Sequence, residues 1–220
     1  MPTITTLLAF LPAVLAMQAV PGPDTMLVMS RGIGQGRRIA ICTALGAVSA
    51  GVVQLPLLAA GIAALVQSSP IAFYAMRYAG AVFLIVLGLR LLLRGSGTQI
   101  DAVPRARTSS LRAFFEGMGA NLTNPNVFVF MLAFLPQFVD PTSGSVGLQM
   151  LVLGAIQKAT GLLVLGGTAL LAGGVGDWIA KRPRWILWQE RLAGCALIAL
   201  GIGAALSGSA RNAGYASGPR

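Results

Sequence analysis

The sequence predicts an all-α integral membrane protein with six transmembrane helices arranged as two inverted three-helix repeats. Three observations lead there: a composition 55% hydrophobic and only 10% charged, a series of apolar runs each long enough to cross a bilayer, and arginines gathered in alternate connections. A mean hydropathy of +0.77 over 220 residues lies outside the range of soluble domains. Hydrocarbon offers the backbone no water, so each segment must satisfy its own hydrogen bonds. The long unbroken runs do not suit the short alternating strands of a barrel, and helices remain.

A helical span takes about 20 apolar residues. Runs of that kind lie at 4–29, 39–66, 71–93, 111–138, 146–173 and 185–206. The connections carry turn formers: Gly32, Gly34 and Gly36; Ser68, Ser69 and Pro70; Gly95 through Thr98; Pro136 and Pro141; Pro183. The first run has no basic segment before it and continues past residue 20, so a retained helix is expected in place of a cleaved signal peptide. The resulting organisation is a translocating unit over 1–208, with repeats at 1–94 and 111–208, a cytoplasmic linker at 95–110 and a flexible tail at 209–220.

Basic residues set the direction. Arg31, Arg37 and Arg38 fall in the first connection; Arg90, Arg94, Arg105, Arg107 and Arg112 around the third; Lys181, Arg182, Arg184 and Arg191 around the fifth, so twelve of sixteen basic residues share one side. By the positive-inside rule that side is cytoplasmic and both termini lie outside, with Arg211 and Arg220 in weak dissent. Arg77, just inside the third helix, can snorkel to the interface. Trp178, Trp185 and Trp188 sit where amphipathic rings favour the headgroup layer.

Several function classes fall away. The net charge of +10 is dispersed between apolar segments and forms no basic stripe beside stacking aromatics, so no nucleic-acid partner is expected. Histidine is absent, and Cys42 and Cys195 lie singly in apolar segments as small packing residues, which leaves no metal-ligand cluster, no catalytic triad and no expected cofactor. The tract from Arg31 to Arg38 is glycine-rich, but no strand precedes it and no Gly-Lys-Ser/Thr follows; a tight basic turn accounts for it without a nucleotide site.

Three helices followed by three place the second half in the membrane in the opposite sense to the first, as an inverted repeat requires. Helix breakers stand in corresponding helices: Pro21-Gly22-Pro23-Asp24 in the first, and Asn121 through Asn126, with Pro125, in the fourth. Pro21, Pro23 and Pro125 remove amide donors and free the carbonyls of Met17, Ala19 and Asn121, which need partners in hydrocarbon. Matched breaks point to a transport site; a lone break would read as a simple kink.

Ionisable residues within spans cost roughly 2.5 to 3.5 kcal/mol on insertion scales, and three qualify: Asp24, Glu116 and Lys158. Asp24 can take a proton or a substrate ammonium, or serve the N-terminus of the following half-helix. Lys158, beside Gln157 and too deep to snorkel, faces a cavity or pairs with a carboxylate, either Asp24 or that of a substrate. Glu116 stands four residues from Arg112, the spacing of an interfacial ion pair. Gln18, Gln54, Asn121 and Asn124 can line a path, while Gln54 can equally be interhelical glue. Ala47 and Gly51, spaced four apart, permit close helix contact without saying with which helix, and a homo-oligomer stays open.

Pro-Gly-Pro-Asp at 21–24 followed by Gly-Gln-Gly-Arg-Arg, then Gly119-Ala120-Asn121-Leu122-Thr123-Asn124-Pro125-Asn126 running to Phe134-Leu135-Pro136-Gln137-Phe138-Val139-Asp140, resembles the LysE/RhtB amino-acid exporter family. The likeness extends through Arg182-Pro183-Arg184-Trp185 and residues 194–201 and covers nearly the whole chain. It implies a multi-pass protein of the bacterial cytoplasmic membrane that expels amino acids or related small metabolites, driven by protons. The family motifs fall on Pro21, Gly22, Pro23, Asp24, Asn121, Asn124 and Pro125. In one departure, the fifth helix of such proteins is more uniformly apolar than Gln157-Lys158 allows, which bears on substrate choice.

The expected partners are therefore an amino-acid solute, protons and membrane lipid. Alternating access would let Asp24 exchange a proton for the substrate ammonium while Asn121, Asn124 and Lys158 receive the carboxylate, with Gln54 in the same site. An intramembrane hydrolase or transferase would need a second mid-membrane acid, which is lacking, so no enzyme is expected. A passive channel or structural membrane subunit is the alternative.

Overall fold

The computed structural model of the chain describes residues 1–18, 22–93, 108–172 and 183–216. Among them there is no strand. The helices are α1 (Ile4–Gln18), α2 (Pro23–Gln35), α3 (Arg37–Ser49), α4 (Gly51–Ser68), α5 (Pro70–Leu93), α6 (Ser110–Leu122), α7 (Pro125–Phe134), α8 (Val146–Leu171) and α9 (Pro183–Ala216), with short 3-10 turns at Leu135–Phe138 and Pro141–Ser143 between α7 and α8. Pro21, Gly173 and most of the expected linker, including Arg94, Arg105 and Arg107, lie outside the described residues, as do Trp178, Lys181 and Arg182.

The run Arg37–Ser68, α5, α8 and the stretch Leu187–Leu206 of α9 are each long and apolar enough to cross a bilayer. The pair α1 and α2 meets that test only together, bent by 52°, and α6 with Val127–Phe138 likewise, bent by 56°; counting each bent pair as one span makes six. Leu8, Val52, Ile71, Leu163 and Leu206 are exposed on the outside of the bundle. Such an apolar exterior suits lipid, and the chain is an all-α membrane protein.

Local chemistry shifts several expected boundaries. The first connection shrinks to Gly36, whose φ of 92° lies in the left-handed region open to glycine. Gly32 instead lies on α2 against the Ala172 methyl, and Arg31 is a buried residue of that helix, not a loop residue. The last helix runs on to Ala216, into the stretch expected as tail. No proline stands between Pro183 and Pro219 to stop it, so the helical hydrogen bonds continue past the apolar run.

Arg77 does not snorkel. It is buried, its Nη2 donates to the Gln137 carbonyl at 3.1 Å, and Gln137 Nε2 returns a bond to the Arg77 carbonyl at 2.9 Å. Cys195 is exposed on α9, contrary to the packing role that its apolar run suggests.

The two halves meet along several seams. α3 lies against α6, where Gly46 faces the Phe114 carbonyl and Gly117 faces the Thr43 carbonyl, so closely that neither position has room for a methyl group. α5 lies along α9, and a Cβ on Gly88 would come 2.6 Å from the Gly194 carbonyl. Small residues permit such backbone approach where lipid supplies no hydrophobic drive. Gly51 packs against the Lys158 stem on α8, which gives its smallness an intramolecular use.

Two further contacts bracket the bundle. Phe10 of α1 meets Phe134 and Phe138 of the second half at ring separations of 5.5 and 5.0 Å. Near the Gly36 turn, Arg31 pairs with Glu116 across the halves and also donates to Thr108 Oγ1 at 2.8 Å. The expected Arg112–Glu116 pair is present at 2.8 Å, but the Arg112 side chain is 74% exposed against 11% for Arg31. Removing one member of a buried pair strands the other charge, whereas an exposed pair contributes little. Only Arg31 is buried and Glu116 is one-third exposed, so Glu116→Ala should destabilise the protein by about 1 to 3 kcal/mol and Arg112→Ala by less than about 1 kcal/mol. Thermal unfolding in detergent compares them, and equal shifts would contradict the assignment.

Candidate functional site

The two breaks are built from complementary backbone needs. Gly22 precedes α2 with extended backbone, φ −93° and ψ −177°, and its carbonyl accepts the Met26 N–H at 3.0 Å. Pro23 opens the helix, where its missing amide is harmless, and Asp24 occupies the first turn, the end of a helix that favours negative charge. At the second break α6 stops at Leu122 and Pro125 starts α7. Pro125 deprives the Asn121 carbonyl of its helical donor, and Gln54 Nε2 of α4 donates to that carbonyl at 3.3 Å. The Asn124 N–H also reaches it, at 3.4 Å, while the Asn124 carbonyl accepts from Val127 at 3.1 Å.

The side chains then close a network over four helices. Asn121 Nδ2 donates to Asp24 Oδ2 at 2.5 Å. Its Oδ1 accepts from Gln54 Nε2 at 3.1 Å and from Lys158 Nζ at 3.3 Å, and Lys158 Nζ donates to Gln54 Oε1 at 2.7 Å. The Asn121 amide thus stands between acid and ammonium with its donor end on one and its acceptor end on the other, an orientation that the partners dictate. Asp24 and Lys158 make no direct ion pair within 4.0 Å. Gln54 is fully buried and Asn121 nearly so, so the neutral amides are shut away while both charged residues keep some exposure.

Of the residues singled out from sequence, Asp24, Gln54, Asn121 and Lys158 come together; Gly22, Pro23, Asn124 and Pro125 shape the breaks; Pro21 lies outside the described residues. Glu116 belongs to the Arg31 contact instead. Sequence reasoning missed that contact because 85 positions separate its members and no local spacing announces it. Among the described residues no group of three or more His, Cys, Asp or Glu is placed to hold a metal ion.

A family model described as LysE type translocator matches residues 15–208. The homoserine/homoserine lactone efflux protein of Salmonella typhimurium is 32% identical over 194 residues, covering 88% of this chain and 91% of the relative. The leucine efflux protein of Enterobacter sp. is 33% identical over 134 residues, 61% of this chain and 64% of the relative. A membrane protein of Pseudomonas aeruginosa is 28% identical over 213 residues, 92% and 96% of the two chains. No solved structure matches the chain.

Gln54 ties the network together because it serves both a freed carbonyl and an ammonium. Gln54→Leu should cost about 2 to 3 kcal/mol by leaving buried polar groups short of partners. Melting in detergent checks this, and an unchanged midpoint would count against the network.

Proposed function

The chain belongs to the LysE type translocator family, and from that premise we propose that it exports amino acids or closely related metabolites across the bacterial cytoplasmic membrane by proton antiport. The observation that carries the reading is the network of Asp24, Asn121, Gln54 and Lys158 at two helix breaks. An amino acid is a zwitterion, and the network offers both complements. Lys158 has three N–H donors, of which two are engaged, and the Asp24 carboxylate accepts further bonds beyond the one from Asn121. A substrate ammonium goes to Asp24 and a substrate carboxylate to Lys158, with Asn121 beside it and Asn124 at the adjoining break. The efflux of homoserine and leucine named for relatives supports this substrate class.

In this reading Asp24 holds a proton in one state and gives it up to the substrate ammonium in the other, so that competition couples the two flows. Two inverted halves rocking about the breaks supply alternating access. Part of the helix pairing fits that symmetry: α5 lies along α9 and α4 along α8, while α8 against α1 and α2 is matched by α3 against α6, and α5 against α7 by α9 against α1; α4 against α5 has no comparable counterpart between α8 and α9 among the described residues.

Cells loaded with dipeptides test the proposal through amino-acid efflux with and without the protein. Asp24→Asn should reduce concentrative efflux at least about tenfold, the effect typical of losing a group essential to proton transfer. Wild-type efflux from that variant would sink the coupling role. Dissipating the proton gradient should stop concentration of the solute outside, whereas a passive channel only equilibrates it.

A further inference from the structure

Two buried oxygens, one at the end of α1 and one on α8, have no donor among the described residues. Gln18 closes α1 at the first break, and its Nε2 donates to the Gln157 carbonyl at 2.8 Å, which fixes the amide and leaves Oε1 as its unpaired end. Gln157, next to Lys158 on α8 and only 8% exposed, likewise has a buried Oε1 without a partner. Gly161, one turn along α8, brings bare backbone to the Gln18 amide: a Cβ there would lie 3.6 Å from Nε2. Buried acceptors left without donors are uncommon and unfavourable. The Gln18 oxygen is an acceptor, fixed as such by the bond from its Nε2, and with the otherwise unbonded Gln157 amide turned the same way both are satisfied by an N–H or O–H and not by a carboxylate.

We propose that Gln18 and Gln157 are specificity-determining residues that accept hydrogen bonds from a hydroxyl or N–H on the side chain of the transported amino acid. This rests on the reading of the chain as an amino-acid exporter. Asp24 and Lys158 take the two ends common to every amino acid, and the glutamine oxygens read the part that differs. A site that hydrogen-bonds a substrate group discriminates strongly against an analogue lacking it.

The test uses proteoliposomes of the full chain and two solutes of similar shape, homoserine and norvaline, the second carrying a methyl in place of the hydroxyl. Wild-type protein should export homoserine at least about tenfold faster. Gln157→Leu and Gln18→Leu, on different helices, should each bring the ratio near one while norvaline export persists, and Gln157→Glu, which keeps an acceptor, should retain the preference. A wild-type ratio near one, export of neither solute, or leucine variants with the wild-type ratio would overturn the proposal. The broader reading falls separately, if dipeptide-loaded cells show no efflux of any amino acid.

Discussion

A carbonyl without its helical amide is the constraint around which the centre of this protein is arranged. In water such a group is readily solvated, but within a bilayer it needs a partner from the protein. Pro125 leaves the Asn121 carbonyl in that condition, and the buried Gln54 supplies a donor from another helix beside the long contact from the Asn124 N–H. Once Gln54 is held there, its other end meets Lys158 and its amide also meets the Asn121 side chain. One backbone defect thus organises three polar side chains, and Asn121 extends the set to Asp24.

The arrangement also explains how two charges are tolerated. A direct buried pair would require both ions to shed their water, and the attraction need not repay that. Here a neutral amide lies between them and both retain partial exposure. The groups with least exposure are the neutral ones that complete their bonds inside the network, Gln54 above all.

Around this centre the halves are joined by contacts of different character. Glycines at Gly46, Gly117, Gly88 and Gly194 bring backbones together, the Phe10 cluster packs one region, and Arg31 with Glu116 forms a polar tie near the Gly36 turn. The glycine seams depend on shape and tolerate no added side chain. The ionic tie depends on both partners being present.

Hydropathy and charge in the sequence alone determined the helical class, the approximate spans and the positions of both breaks, because lipid enforces long apolar runs and proline acts on its own helix. The costly residues Asp24 and Lys158 were equally visible, since a charge in an apolar run stands out without a structure. Only the tertiary structure decided who meets whom: that Asn121 stands between the charges, that Arg31 leaves the loop to pair with Glu116, and that Arg77 turns inward to Gln137. Those partners lie far apart in the chain, and a local pattern carries no information about which helices pack together.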